Sequence, residues 1–356
     1  MAEASRRNEV EVLGNFSIGD DGKYRNDLSQ RRYLILPGVE HPDFDIRPND
    51  DHNERESSGR EPTSMEPMLH WFRDHQDELI KKGILRQDDS SRRLKIDFVG
   101  RIGFFSRLLR AAASVDELQI LVTLCNGTYY IEHVKVTDRT ALAIKHGESG
   151  KKFVKYITSS DGSQPDINEP VDAYKEYLGV MKAQYGDHRI ILSTDIDAER
   201  KDSDMRPPES YVCIKTRKAV LEGIQLTNYR RYKTLKWWSQ PYVAGIPEVI
   251  YGMRDDTQQT VTEVKTIETN QLHSEAQGFW DPELCVQKFQ SYLSEIKRLV
   301  QDDNPRAVYR LQLPKIETGP DTEDRLLNRT FDQPQIKDGY VILPEEYIRE
   351  VLNLYE

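Results

Sequence analysis

Cysteine is scarce in this chain of 356 residues: three are present, Cys125, Cys213 and Cys285, far apart in sequence. That scarcity excludes a disulfide framework or a cysteine-rich zinc site, and it leads to an expectation of reduced thiols in a nuclear or cytosolic protein. Long apolar runs are also missing, and none approaches the ~20 residues that span a bilayer as a helix. The opening residues, Met1 to Arg7, lack an apolar h-region, so secretion is not expected, and the sequons at Asn15, Asn126 and Asn328 read as chance. No excess of basic charge is present either. Lys and Arg number 50 against 60 Asp and Glu, a net charge of −10. Such a balance argues against coating nucleic acid non-specifically, while leaving room for a local basic groove. No Walker loop, dinucleotide fingerprint or nucleophile elbow occurs, and the eight histidines show no metal-ligand spacing.

Two short segments carry chemistry. In Ser193-Thr-Asp-Ile-Asp-Ala198 and Tyr211-Val-Cys-Ile-Lys-Thr216, apolar and polar residues alternate. Read as strands, they place Asp195 and Asp197 on one face, and Cys213 and Lys215 on another. Paired carboxylates beside a lysine are how many metal-dependent nucleases attack phosphorus: the acids hold Mg2+ or Mn2+, and the lysine stabilises charge on the phosphate. Such sites usually carry a further acid two residues before the lysine. Here that place holds Cys213. A second segment, Tyr229-Arg-Arg-Tyr-Lys-Thr-Leu-Lys-Trp-Trp238, interleaves cations with aromatics. It suits phosphate pairing and base stacking through Arg230, Arg231 and Lys233. It equally suits a helix with an aromatic core face and a solvated basic face.

The rest of the pattern predicts an α+β fold, a single domain over residues 1–356 with a mixed, twisted central sheet flanked by helices. Residues 47–66 are polar and aperiodic, and read as a mobile loop. Helices are expected at Met68–Ile84, Phe104–Ala112, Tyr174–Tyr185 and from Asp281-Pro282 onward, where aspartate caps and proline takes the first turn. Asn126-Gly127 predicts a hairpin between Leu118–Leu124 and Thr128–Val134, and a second hairpin is expected around Arg254-Asp-Asp256. Residues 301–356 read as an extension, with a strand at Tyr340–Leu343 and a final helix from Pro344.

Seven pieces in order resemble one family. They are Asp27-Leu-Ser-Gln-Arg-Arg-Tyr33, Gly150-Lys-Lys-Phe153, the Asp195 and Lys215 segments, Trp238-Ser-Gln240, Gly245-Ile-Pro-Glu-Val-Ile-Tyr-Gly-Met-Arg-Asp255 and Trp280. Over residues 14 to 300 this order is similar to the decapping exoribonuclease (DXO) family. Its members remove non-standard caps or triphosphates from RNA 5′ ends, and many then degrade the RNA 5′→3′ with a divalent metal.

The resemblance also exposes losses. It implies a glutamate where Val154 stands, a Glu-x-Asp pair shortened here to Asp195 and Asp197, and a Glu-x-Lys pair of which Lys215 survives beside Cys213. It places Gln240 near the substrate phosphates. It places an arginine where Ile102 stands, with Arg101 displaced by one residue and so able to turn away from RNA. Two acids of four are gone, and neither valine nor a thiol suits a hard cation. Binding of Mg2+ or Mn2+ is therefore expected to be weak or absent.

The expectation is an RNA 5′-end binder with an impaired metal site, in contact with Arg101, Lys215, Gln240, Arg230, Arg231 and Lys233. Such a protein would protect or regulate transcripts in the nucleus, and also in the cytoplasm. Protein partners in nuclear RNA processing or silencing are implied, as in the degenerate branch of the family that acts on piRNA-cluster transcripts. The alternative is an active decapping pyrophosphohydrolase and 5′→3′ exoribonuclease using Asp195, Asp197, Lys215 and Gln240. A scaffold that no longer touches RNA is the third reading.

Overall fold

A computed structural model describes residues 9–47, 64–88, 91–134, 141–167, 175–201, 204–257 and 259–354. Most of the stretch read as a mobile loop, residues 48–63, lies outside the described residues. The α+β class holds, with most strands arranged in two mixed sheets and Leu85–Gln87 paired with Arg92–Leu94 in a third of two strands. Among the described residues, the larger sheet has nine strands and the smaller seven. In the larger, strand Phe98–Arg101 lies between Thr128–His133 and His188–Asp195, parallel to both. In the smaller, Tyr211–Lys218 runs parallel to Glu248–Asp255 and antiparallel to Ala198–Glu199.

Local chemistry explains most of the elements. Asn126 and Gly127 both adopt positive φ, 51° and 78°, as a two-residue hairpin requires. Asp281 accepts a hydrogen bond from the Glu283 N–H at 2.8 Å and starts the Pro282–Leu299 helix, which buries Cys285, Phe289, Leu293 and Ile296. The hairpin around Arg254-Asp-Asp256 is formed by Glu248–Asp255 and Thr260–Glu268.

Three expectations need correction. Tyr174–Tyr185 is not a helix. Glu176–Tyr185 is a strand paired with His188–Asp195 across Gly186, whose φ is +57°. The segment is buried on both faces, so its apolar residues give no clean alternation. The helix expected over Met68–Ile84 is divided into Glu66–Asp74 and Gln76–Lys81 at His75, whose ring nitrogen bonds the Trp71 carbonyl at 2.9 Å. Tyr340–Leu343 is not a strand. Residues beyond 300 join the fold through Tyr309–Leu313, which pairs with Leu118–Cys125, and through helix Glu345–Glu350, which buries Tyr347 and Ile348.

Candidate nucleic-acid interface and metal site

The site forms where the chain leaves one sheet for the other. Asp195 is the last residue of strand His188–Asp195, and Asp197 lies in the joint before Ala198–Glu199 of the second sheet. The two carboxylates therefore do not share a face of one strand, as alternation alone implied. They bracket the seam between sheets. Cys213 and Lys215 do share strand Tyr211–Lys218, and the lysine reaches the joint. Its Nζ lies 3.2 Å from Asp197 Oδ2, and the same oxygen accepts the Ile214 N–H at 2.7 Å.

Arg101 closes the other side. Gly100 lets its strand approach the neighbouring one, because a Cβ there would sit 2.9 Å from the Ile131 carbonyl oxygen. Arg101 Nη2 lies 3.3 Å from Asp195 Oδ1 and 3.6 Å from Glu176 Oε2, while Ile102 enters the core. The displaced arginine is thus directed at the acids. Glu176 was missed in sequence because it opens the strand misread as a helix. The Gly186-Asp187 turn signal, read with Glu176–Tyr185 as a hairpin arm, would have placed it beside Asp195.

The remaining positions fall nearby or beneath. Val154 packs on the apolar cluster that contains Ala198, Val212 and Ile214. Phe153 from the same helix covers Gly252, where a Cβ would come within 2.9 Å of the ring, so two of the matching motifs touch. Cys213 is buried in the main core with Trp237 and Trp238. Gln240 is half-buried on helix Thr234–Ala244, which follows a π-helical turn at Tyr229–Lys233. Along this segment Tyr229, Trp237 and Trp238 face the core, while Arg231 is exposed and Arg230 and Lys233 are partly buried. Lys233 Nζ donates to the Thr216 carbonyl at 3.0 Å. Thr234 locks the turn, accepting from Trp280 Nε1 at 2.9 Å and donating to the Arg230 carbonyl at 2.6 Å. Arg31 and Arg32 of the first matching motif are structural, holding Glu199 and Thr158.

Electrostatics follow from this crowding. Burial raises the Asp195 carboxyl above the ordinary carboxylate value; Arg101 and Lys215 oppose the rise, and Glu176 and Asp197 add to it. Yet 46 % of its side chain meets solvent, as expected of a carboxylate on a concave wall. Burial also pushes the Cys213 thiol up to about 12, so it is neutral at physiological pH. For Lys215, burial works against the charge, but Asp197, Cys213 and Asp195 hold its pKa above the usual lysine value.

A carboxyl raised on folding stabilises the protein below its unfolded pKa, and that contribution is lost as pH rises through the folded value. Asp195→Asn should therefore gain thermal stability on the natural protein as pH goes from 4 to 7. Melting curves across that range check this, and a gap independent of pH would contradict it.

The acids at the seam are engaged by donors of the protein itself. Among the described residues, no three His, Cys, Asp or Glu side chains gather as a metal-holding group. Asp197 is committed to an N–H and an ammonium, and Asp195 faces a guanidinium. What the arrangement offers an anion is Lys215 in place, while Glu176, Asp195 and Asp197 are each engaged by a cation of the protein.

A sequence model of a family described as RAI1-like PD-(D/E)XK nuclease matches residues 8–348. The decapping and exoribonuclease protein of Xenopus laevis is 28 % identical, over 95 % of this chain and 85 % of its own length. Among solved structures, Rai1 of Scheffersomyces stipitis has a TM-score of 0.74 at 17 % identity, covering 98 % of this chain and 99 % of its own. Candida albicans Rai1, solved in complex with pU5-Mn2+, has a TM-score of 0.72 at 16 % identity, covering 97 % and 96 %. At these identities the structures speak for the fold. An acid-x-lysine stands in the family's description; in this chain the residue two before Lys215 on its strand is the thiol Cys213.

Proposed function

This chain belongs to the RAI1-like PD-(D/E)XK nuclease family, and on that footing we propose that it binds phosphorylated 5′ ends of RNA without hydrolysing them efficiently. The observation that carries the reading is the state of the acid-x-lysine pair. Its acid is a buried neutral thiol, while Lys215 remains charged beside Asp197. Hydrolysis at phosphorus loses its metal when the acids go, whereas holding a phosphate needs cations and hydrogen-bond donors. Lys215 and Gln240 supply those at the 5′ end, and Arg101, Arg230, Arg231 and Lys233 add positive charge around it. The pU5 held by Candida albicans Rai1 supports this choice of ligand.

Residual Mg2+ or Mn2+ binding would be weak, because Asp195, Asp197 and Glu176 are each already engaged by a cation of the protein. A protein of this kind protects transcripts by occupying their 5′ ends. Nuclear residence, partners in RNA processing or silencing, and action on piRNA-cluster transcripts belong to the same proposal, and rest on the likeness of a degenerate site alone.

Fluorescence anisotropy with a short single-stranded RNA tests the binding half. A 5′-phosphate should bind roughly tenfold or more tightly than a 5′-hydroxyl, the order of one charge-assisted phosphate seat. Equal affinity for the two ends would overturn the reading.

A further inference from the structure

Beyond Lys215 lies a group of cations of which the 5′-end reading uses only Lys233. Arg217 stands two residues on, so its side chain shares a face with Cys213 and Lys215. Its guanidinium is stacked 5.0 Å from the Tyr229 ring centroid and 5.6 Å from that of Tyr251. Stacking fixes the orientation of the fork. Its Nη1 donates to the Lys218 carbonyl at 3.3 Å, whereas Nε is buried with no hydrogen-bond partner. A buried donor left without an acceptor is uncommon.

Further cations surround it. Lys233 reaches down from the π-helical turn to the Thr216 carbonyl, between Lys215 and Arg217. Arg254, next to last in the adjacent strand, pairs with Lys218 at a register shift in the pairing of Glu248–Asp255 with Thr260–Glu268. Bulges of this kind re-aim side chains beside functional sites. Asp256 is shared, pairing with Arg254 and lying 3.9 Å from Lys218 Nζ. Glu275 is taken by the Tyr229 hydroxyl. Cations are gathered here faster than the protein neutralises them.

We infer that Arg217, Lys233 and Arg254 form a second phosphate seat, which takes an internucleotide phosphate of the RNA whose 5′ end sits at Lys215. This inference rests on the 5′-end reading. Two residues of strand span about 6.8 Å, comparable to the step between successive phosphates of an extended single strand tracking a basic groove. The tyrosines beside Arg217 serve to hold the guanidinium, so the seat reads phosphate rather than sequence. Lys233 gives the seat a pH response. Burial first, then Arg254, Lys236 and Arg217, against Asp256, lower its pKa to about 8, and Trp237 lies under it at 5.4 Å. An anion in the seat favours the protonated form, so binding there takes up a proton and weakens as pH rises from 7 to 9.

The test uses the full chain and 5′-phosphorylated uridine pentanucleotide, natural or with one uncharged methylphosphonate placed at each linkage in turn. The natural protein should lose roughly tenfold in affinity when a linkage near the 5′ end is neutralised, as expected for one charge-assisted contact. Arg217→Ala should bind the natural oligonucleotide about as weakly, and should no longer respond to that methylphosphonate. Lys233→Arg should flatten the pH dependence, and it serves as the second variant if Arg217→Ala folds poorly. Additive losses from variant and methylphosphonate, or a pH response unchanged in Lys233→Arg, would overturn the second seat. A 5′-hydroxyl oligonucleotide that binds as well as the phosphorylated one would instead overturn the 5′-end reading while leaving the Arg217 cycle interpretable. Absence of any RNA binding would sink both.

Discussion

Replacing Lys215 by alanine is expected to weaken binding of 5′-phosphorylated RNA by roughly 10- to 100-fold, the equivalent of about 1.5–3 kcal/mol for a hydrogen bond to a charged group. Binding of 5′-hydroxyl RNA should change far less. The asymmetry follows from geometry: Lys215 reaches the seam between the sheets, where a terminal phosphate would meet it. Part of the loss comes through the protein itself, because the variant leaves Asp197 with the Ile214 N–H, at 2.7 Å, as its hydrogen-bond partner among the described residues. Removing one member of a largely enclosed ion pair destabilises. Here each side chain keeps about a quarter of its surface in water, 25 % for Lys215 and 26 % for Asp197. The cost should therefore fall near 2 kcal/mol, below the roughly 3–5 kcal/mol seen when a fully buried pair is broken. Lys215→Arg separates the two effects, since it keeps the charge and the ion pair. Anisotropy titrations alongside melting curves provide the check, and an equal loss for both RNA ends would show that the lysine acts on the fold alone.

Putting acids back should have the opposite character. The double variant Val154→Glu/Cys213→Glu should be less stable without metal by about 2–4 kcal/mol, since it introduces buried charge. Cys213 is only 1 % exposed, and Val154 packs on an apolar cluster. Mn2+ should then recover much of that loss. An ion bound at 100 times its dissociation constant stabilises by about 2.7 kcal/mol. The natural protein should show little such shift under the same conditions. Thermal melts with and without Mn2+ read this directly, and a Mn2+ shift as large in the natural protein as in the double variant would contradict the account of an impaired site.

Much of this was legible in sequence because the informative signals are local. Asn126-Gly127 encodes its own turn, Asp281-Pro282 its own helix start, and Cys213-Ile-Lys215 its own strand face. Relations between distant segments were less accessible. Asp195 and Asp197 look like one strand face, yet the chain changes sheets between them, and nothing in Ser193–Ala198 announces that change. Glu176 was hidden by the opposite problem. A strand buried on both faces loses the period-two pattern, so Glu176–Tyr185 resembled a helix despite Gly179 within it and the turn at Gly186. Arg101 seemed misplaced by one residue, but the strand ends there and a helix begins, so the side chain still meets Asp195. The stacking of Arg217 between Tyr229 and Tyr251 joins three segments, and no spacing rule within one of them could reveal it.

The central claim is that this chain holds RNA 5′ ends without hydrolysing them. Its most direct test incubates the purified protein with 5′-labelled RNA carrying a triphosphate, an unmethylated cap or a monophosphate, in Mg2+ and in Mn2+, with Asp195→Ala/Asp197→Ala as control. The account predicts RNA retained by the protein, with the 5′ group released no faster than by the control. Release by the natural protein that is lost in the control would contradict it and establish a working metal hydrolase.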